Sequence, residues 1–189
     1  MNRDIKRLLS SIDEVPWSRV EHAYGPATDA PDLIRALTSP DVKVRDHAWS
    51  ELHGNLWHQG TIYEATAYAV PFFVELLNEQ TTPGKNEVLV FLALLFTGRS
   101  YWDVHQHLAI TQAETRKPGF QQKLDEELTW VESTKKAVVK GREIYLGLLQ
   151  VGDLGARIAA AYLLGLIGAS DIDTLEEVIK SPERPIFEE

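Results

Sequence analysis

The sequence predicts an all-α protein built from repeated pairs of helices, on three observations. Apolar residues recur at three- and four-residue intervals along most of the chain, as they must where one side of a helix faces a core. One stretch occurs twice: "DVKVRDHAWSEL" (41–52) and "DLGARIAAAYLL" (153–164) share an acid, an aliphatic residue, an arginine, an alanine and a leucine at the same offsets, without a gap. No run of four or more residues alternates apolar with polar, so no strand is expected.

Bulk properties narrow the class. At 189 residues, 44% apolar and 25% charged, the chain is expected to form one domain across 1–189 with a core large enough to need no staples. The longest apolar run, "VLVFLALLF" (88–96), falls well short of the roughly 20 residues of a membrane span and reads as a buried helix. Cysteine is absent, which removes disulfides, thiolate metal ligation and a cysteine nucleophile together. The formal charge is −9, and acids outnumber bases in both halves of the chain. Phosphate contacts supply most of the affinity for nucleic acid, so a basic protein is the expected partner and nucleic acid is not. The N-terminal "MNRDIKRLLSSIDE" carries Asp4 and no small-residue cleavage site, so a cytoplasmic location is expected.

In chain order, Ile5, Leu8, Leu9 and Ile12 form an N-terminal cap of about residues 1–26, in which Pro16-Trp17 opens a turn and Gly25-Pro26 closes it. A helix with Leu33, Ile34 and Leu37 inward precedes one with Val44, Ala48 and Leu52 inward; Ser39 is expected to cap the second, with Pro40 at its first position. In both copies of the repeat the acid stands four residues before the arginine, so Asp41–Arg45 and Asp153–Arg157 read as ion pairs along a helix. "YAVPFFVELL" (68–77) puts Val70, Phe73, Leu76 and Leu77 inward, and "GKNEVLVFLALLF" (84–96) is its partner after Thr82-Pro83. Residues from about 98 to 120 interrupt the pattern as an insertion, and "LDEELTWVE" (124–132) reads as a solvated acidic face. Trp130 to Gln150 forms a further first helix before the Asp153 helix, and "DIDTLEEVIK" (171–180) starts another whose Leu175 and Ile179 need cover.

The D-x-x-x-R-x-x-A-x-x-x-L helix, the "PFFVELL" helix and the segments "HQGTIYEATAYAVPFF" and "GRSYWDVHQHL" resemble HEAT-type repeats, including short bacterial HEAT-like proteins, over residues from about 30 to 180. The resemblance implies a right-handed α-solenoid whose second helices line a concave partner-binding face. It further implies a protein-binding module without a cofactor, and more specifically an immunity or antitoxin-like protein that neutralises a basic toxin through charge complementarity. Two features depart from the pattern: the middle pair lacks the arginine, and a minimal repeat carries no insertion.

Two stretches hold the candidate functional residues. In "NLWHQGTIYEATAYAVPFF" (55–73), Thr61 and Glu64 fit a capping box, and Pro71 should kink or restart its helix by deleting the bond to the Ala67 carbonyl. Trp57, Tyr63 and Tyr68 should cover the joint between hairpins. His53, His58 and Glu64 match no metal-ligand spacing. In "YWDVHQHL" (101–108), an extended segment would turn Asp103, His105 and His107 to one face, the basis of an alternative reading as a metal-dependent enzyme. Tyr101 and Trp102 are of types enriched in binding hot spots. The candidate partner-binding set is therefore Trp57, His58, Tyr63, Tyr101, Trp102, Asp103, His105 and His107. No phosphate loop, nucleophile elbow or HExxH motif is present, and a HEAT-like DNA glycosylase would need a basic concave surface that this acidity does not offer.

Overall fold

In the computed structural model, which describes residues 9–168, nine α-helices carry the described chain and strand is confined to one short hairpin. Ile5, Leu8 and the expected helix over 171–180 with Leu175 and Ile179 lie outside the described residues. The hairpin pairs β1 (Glu21–His22) with β2 (Gly25–Pro26), antiparallel, with Glu21 opposite Pro26 and His22 opposite Gly25. The helices are α1 (Ala30–Ala36), α2 (Val42–Leu56), α3 (Glu64–Asn78), α4 (Lys85–Thr97), α5 (Tyr101–His105), α6 (Gln112–Thr115), α7 (Phe120–Val139), α8 (Arg142–Val151) and α9 (Leu154–Ile167). Among the described residues no helix is long and apolar enough to cross a membrane.

The apolar run 88–96 becomes the middle of the molecule. Val88, Leu89, Phe91, Leu92, Ala93 and Leu95 are all buried, which takes neighbours on more than one side of α4. It packs on α3, α7 and α9, and the Trp49 and His53 rings of α2 rest on Phe91 at 5.4 and 4.6 Å. Helix α3 in turn packs on α1, α4, α7 and α8, with Val70, Phe72, Phe73, Leu76 and Leu77 buried. The N-terminal cap adds Leu9, Ile12, Trp17 and Val20 to the same core, and Trp17 Nε1 donates to the Ile12 carbonyl at 2.7 Å.

The two copies of the repeat do the same physical job, though not as ion pairs. Asp41 caps α2 by accepting from the Lys43 amide at 2.9 Å, and Asp153 caps α9 by accepting from the Ala156 amide at 2.9 Å. Each arginine instead reaches back to carbonyls that precede its helix. Arg45 Nη1 donates to those of Ser39 (2.8 Å) and Pro40 (3.1 Å), and Arg157 Nε to that of Leu149 in the last turn of α8 (3.1 Å). An orphan amide at a helix start and orphan carbonyls just before it are stronger attractors than a partner four residues along an exposed face. Ala48 and Ala160 are fully buried, as the small residue at that offset requires.

Several sequence expectations shift by a turn. Ser39 does not cap α2; its hydroxyl accepts from the Asp41 amide at 3.2 Å, one step outside the helix. Val44 is 41% exposed, because Ala48, Leu52 and Leu56 fill the buried side of α2. Helix α3 runs unbroken through Pro71 and does not restart there; Pro71 sits on the exposed side. The stretch Trp130–Gln150 is two helices, with α7 ending at Val139, Gly141 buried at the break, and the Tyr145 hydroxyl donating to the Val138 carbonyl at 2.8 Å.

These caps are separable from ion pairing by substitution. Asp153→Ala should cost about 1 kcal/mol in urea unfolding, while Asp153→Asn, which still caps but carries no charge, should cost only a few tenths. Equal losses for the two variants would restore the ion-pair reading.

Candidate interaction surface

The chain leaves α2 through a short 3₁₀ turn, His58–Gly60, whose backbone is unusual: Gln59 has φ 53° and Gly60 φ 89°. Two successive left-handed residues reverse the chain sharply, at a cost of roughly 1–2 kcal/mol for the non-glycine. The reversal lays Thr61 and Ile62 parallel to Arg99. The Ile62 amide donates to the Arg99 carbonyl and the Arg99 amide to the Gly60 carbonyl, both at 2.9 Å. Gly98 makes that approach possible, since a Cβ there would sit 2.4 Å from Ile62 Cδ1.

This pairing changes the expected cap of α3. Thr61 is buried in the bridge, and the helix starts two residues later with Tyr63 as its N-cap. The reciprocal residue is Thr66: its hydroxyl accepts from the Tyr63 amide at 3.2 Å and donates to the Leu56 carbonyl at 2.8 Å. Glu64 is the first residue of α3 and does not reach back to Thr61.

The insertion is a built element. Ser100 caps α5, its hydroxyl accepting from the Asp103 amide at 3.0 Å. That hydroxyl donates in turn to Glu127 Oε2 at 2.7 Å, and the Trp102 amide donates to the same oxygen at 3.0 Å. Glu127 is only 6% exposed, so the expected solvated face of 124–132 is wrong at this position. The carboxylate of α7 is buried because it answers the free amide and hydroxyl at the start of α5. Trp102 points inward, edge-on to Phe120 at 5.3 Å, with Lys123 Nζ 5.2 Å from its ring centre. Thr111, also buried, donates to the His105 and Leu108 carbonyls and folds the end of the insertion back.

With Trp102 inward, Tyr101 and Val104 of α5 turn out. Tyr101, Val104 and Leu108 stand at i, i+3 and i+7 and all are exposed, and Ile110 beyond them is 88% exposed. The Tyr101 ring stacks on His105 at 4.2 Å, and His105 Nδ1 lies 2.7 Å from the Tyr101 carbonyl. Asp103 pairs with Arg99 at 2.9 Å. His107 is exposed. Because the segment is helical, Asp103, His105 and His107 do not converge, and among the described residues no group of three His, Cys, Asp or Glu side chains is placed to hold a metal ion.

The first stretch divides. Trp57 is half-buried, edge-on to His53 at 6.4 Å. His58 turns outward to Tyr24, ring to ring at 5.6 Å, and the Tyr24 hydroxyl lies 3.3 Å from His58 Nδ1. Tyr68, expected at the joint, is exposed. Tyr63 is half-buried; burial pushes its phenol above the usual range, a hydroxyl bond from Thr61 opposes that, and the neighbouring Tyr24, Glu127 and Tyr101 add to it. Sequence reasoning missed Tyr24, which is 69% exposed, and Glu127. The β1–β2 hairpin that holds Tyr24 is itself clasped: His22 Nε2 lies 2.9 Å from Asp29 Oδ1, Asn55 Nδ2 donates to Asp29 Oδ2 at 2.7 Å, and the Tyr24 amide donates to His22 Nδ1 at 3.0 Å. A tyrosine just before a glycine turn was the only signal available in the sequence.

No protein-family model, curated protein or solved structure matches this chain.

Two measurements test this construction. Glu127→Ala strands the Ser100 hydroxyl and the Trp102 amide; it should cost about 2–3 kcal/mol and open the insertion to trypsin at Arg116. An unchanged digestion rate would show that Glu127 does not hold the segment. Burial also holds His53 below the ordinary histidine value. The unfolded chain then takes up a proton that the folded chain resists, so stability present above the unfolded value is lost as pH falls through it. His53→Leu should flatten the fall in unfolding free energy between about pH 7 and pH 5.5, and an unaltered slope would assign that fall to other groups.

Proposed function

We propose that this protein is a protein-binding module, a right-handed α-solenoid of HEAT-like helical hairpins whose docking element is the insertion over 98–120. The observation that carries the reading is the reversed amphipathicity of α5. Its tryptophan is buried, while Tyr101 and Val104, with Leu108 and Ile110 just beyond the helix, face solvent from a segment tied at its start to the buried Glu127. Ordered apolar side chains held outward are the usual mark of a surface that meets another protein, and tyrosine beside aliphatic residues is hot-spot composition. Tyr24 and His58, packed ring to ring at 5.6 Å, offer further ring surface that loses little side-chain entropy on contact.

The solenoid reading is supported by the two helix pairs whose second members repeat one cap, one carbonyl tie and one buried alanine. It is also supported by the packing of α1, α7 and α8 on α3, and of α3, α7 and α9 on α4. The specific version is an immunity or antitoxin-like protein of the cytoplasm that neutralises a basic partner; the charge of −9 favours steering such a partner to this surface.

Affinity capture with the wild-type chain, followed by titration of the captured protein, tests the reading. Tyr101→Ala and Ile110→Asp should each weaken that complex at least 10-fold while leaving the melting temperature within a degree or two, since neither side chain is part of the core. Full affinity in both variants would move the docking face elsewhere.

A further inference from the structure

Apart from that surface, the C-terminal end of α3, the first turn of α4 and the Glu143–Leu148 stretch of α8 border a shallow, open cleft of about 350 Å³. This lies at the lower end of the roughly 300–1,000 Å³ typical of small-molecule sites. Leu77, Ile144 and Leu148 form its apolar wall, and Asn78, Lys85 and Glu143 supply its polar groups. Lys85 Nζ is held in place by donating to the Leu77 carbonyl at 2.9 Å, which leaves two N–H groups unused by that bond. Burial keeps this amine below lysine's usual range, with the charge of Glu79 opposing that effect. Lys85 is also the first residue of α4, a helix of 13 residues, where the helix dipole favours negative charge.

Gly147 lies inside α8 and lines the cleft, and a Cβ built on it would meet nothing within 4 Å. A glycine inside a helix costs about 1 kcal/mol against alanine, and no close packing explains this one. It stands on the exposed side of α8, so a larger side chain there would extend into the cleft.

We propose that the cleft binds a small aliphatic carboxylate, with Lys85 taking the carboxylate and Leu77, Ile144 and Leu148 taking the hydrocarbon. An aliphatic α-amino acid is one source of that chemistry, in which Glu143 meets the ammonium group; a simple branched-chain acid is the other. The site is independent of the partner-binding surface.

Calorimetric titration of the full chain with isovalerate and with L-leucine tests this. One-site binding is expected for at least one of them, with a dissociation constant on the order of 1 mM, as suits a contact of few atoms. Lys85→Met should weaken it at least 10-fold. Gly147→Leu should abolish it by filling the cleft while raising the melting temperature through better helix propensity, which separates loss of the site from loss of the fold. Glu143→Gln identifies the source: a selective loss for L-leucine assigns an amino acid, and no change assigns the plain carboxylate. Absence of heat from both ligands, or binding that survives Gly147→Leu, would overturn the proposal.

Discussion

Helix α4 sets the constraint on which the rest of the structure depends. Its sequence has apolar residues at every position from Val88 to Phe96, so it is stable only when enclosed. Each neighbour answers that need from a different direction: α3 and α7 on one side, α9 on another, and the aromatic rings of α2 over Phe91. The polar ends of these helices are then handled locally, by Asp41 and Asp153 at helix starts and by Arg45, Arg157 and Lys85 on carbonyls. Burial supplies the drive and the hydrogen bonds fix the arrangement, as the small net value of each bond requires.

The end of α4 is where architecture turns into surface. Gly98 lets the chain run close beside Ile62, the backbone of Arg99 pairs with that of Gly60 and Ile62, and Ser100 starts α5 one residue later. Two segments far apart in sequence are thereby fixed together, and the left-handed Gln59 is held in place by the pairing. Glu127 completes the construction from α7. A buried carboxylate with two charge-assisted bonds orients a five-residue helix that has too few internal bonds to stand alone. The rigid base explains how Tyr101, Val104 and Leu108 remain outward in water.

Much of the fold was legible because it rests on periodicity. The inward residues of α1 and α3, the alanine and leucine of the repeat, and the mostly helical character follow from spacing, and the burial of α4 from its unbroken apolar run. The candidate surface was half legible. The stretches around His58 and Tyr101 stood out by composition, but Trp57 and Trp102 turned inward, Tyr24 offered only its place before a glycine, and Glu127 gave no signal. Glu127 sits among Asp125, Glu126 and Lys123, where a solvated face is the ordinary expectation; only the start of α5, 25 residues earlier, gives it a reason to be buried.

The sequence by itself determined which residues can face a core and where helices can begin, because those depend on spacing along one element and on side chains within a few positions of a backbone amide. Even there it misjudged partners: aspartate and arginine four apart invite pairing on a helix, yet each found an unsatisfied backbone group instead. The tertiary structure alone decided that Thr61 serves a bridge to Arg99 in place of a cap, that the insertion is helical, and that its apolar side faces water. Those outcomes depend on groups brought together from distant parts of the chain, and the free energy of such a contact exists only once α4 has been enclosed and its ends have met.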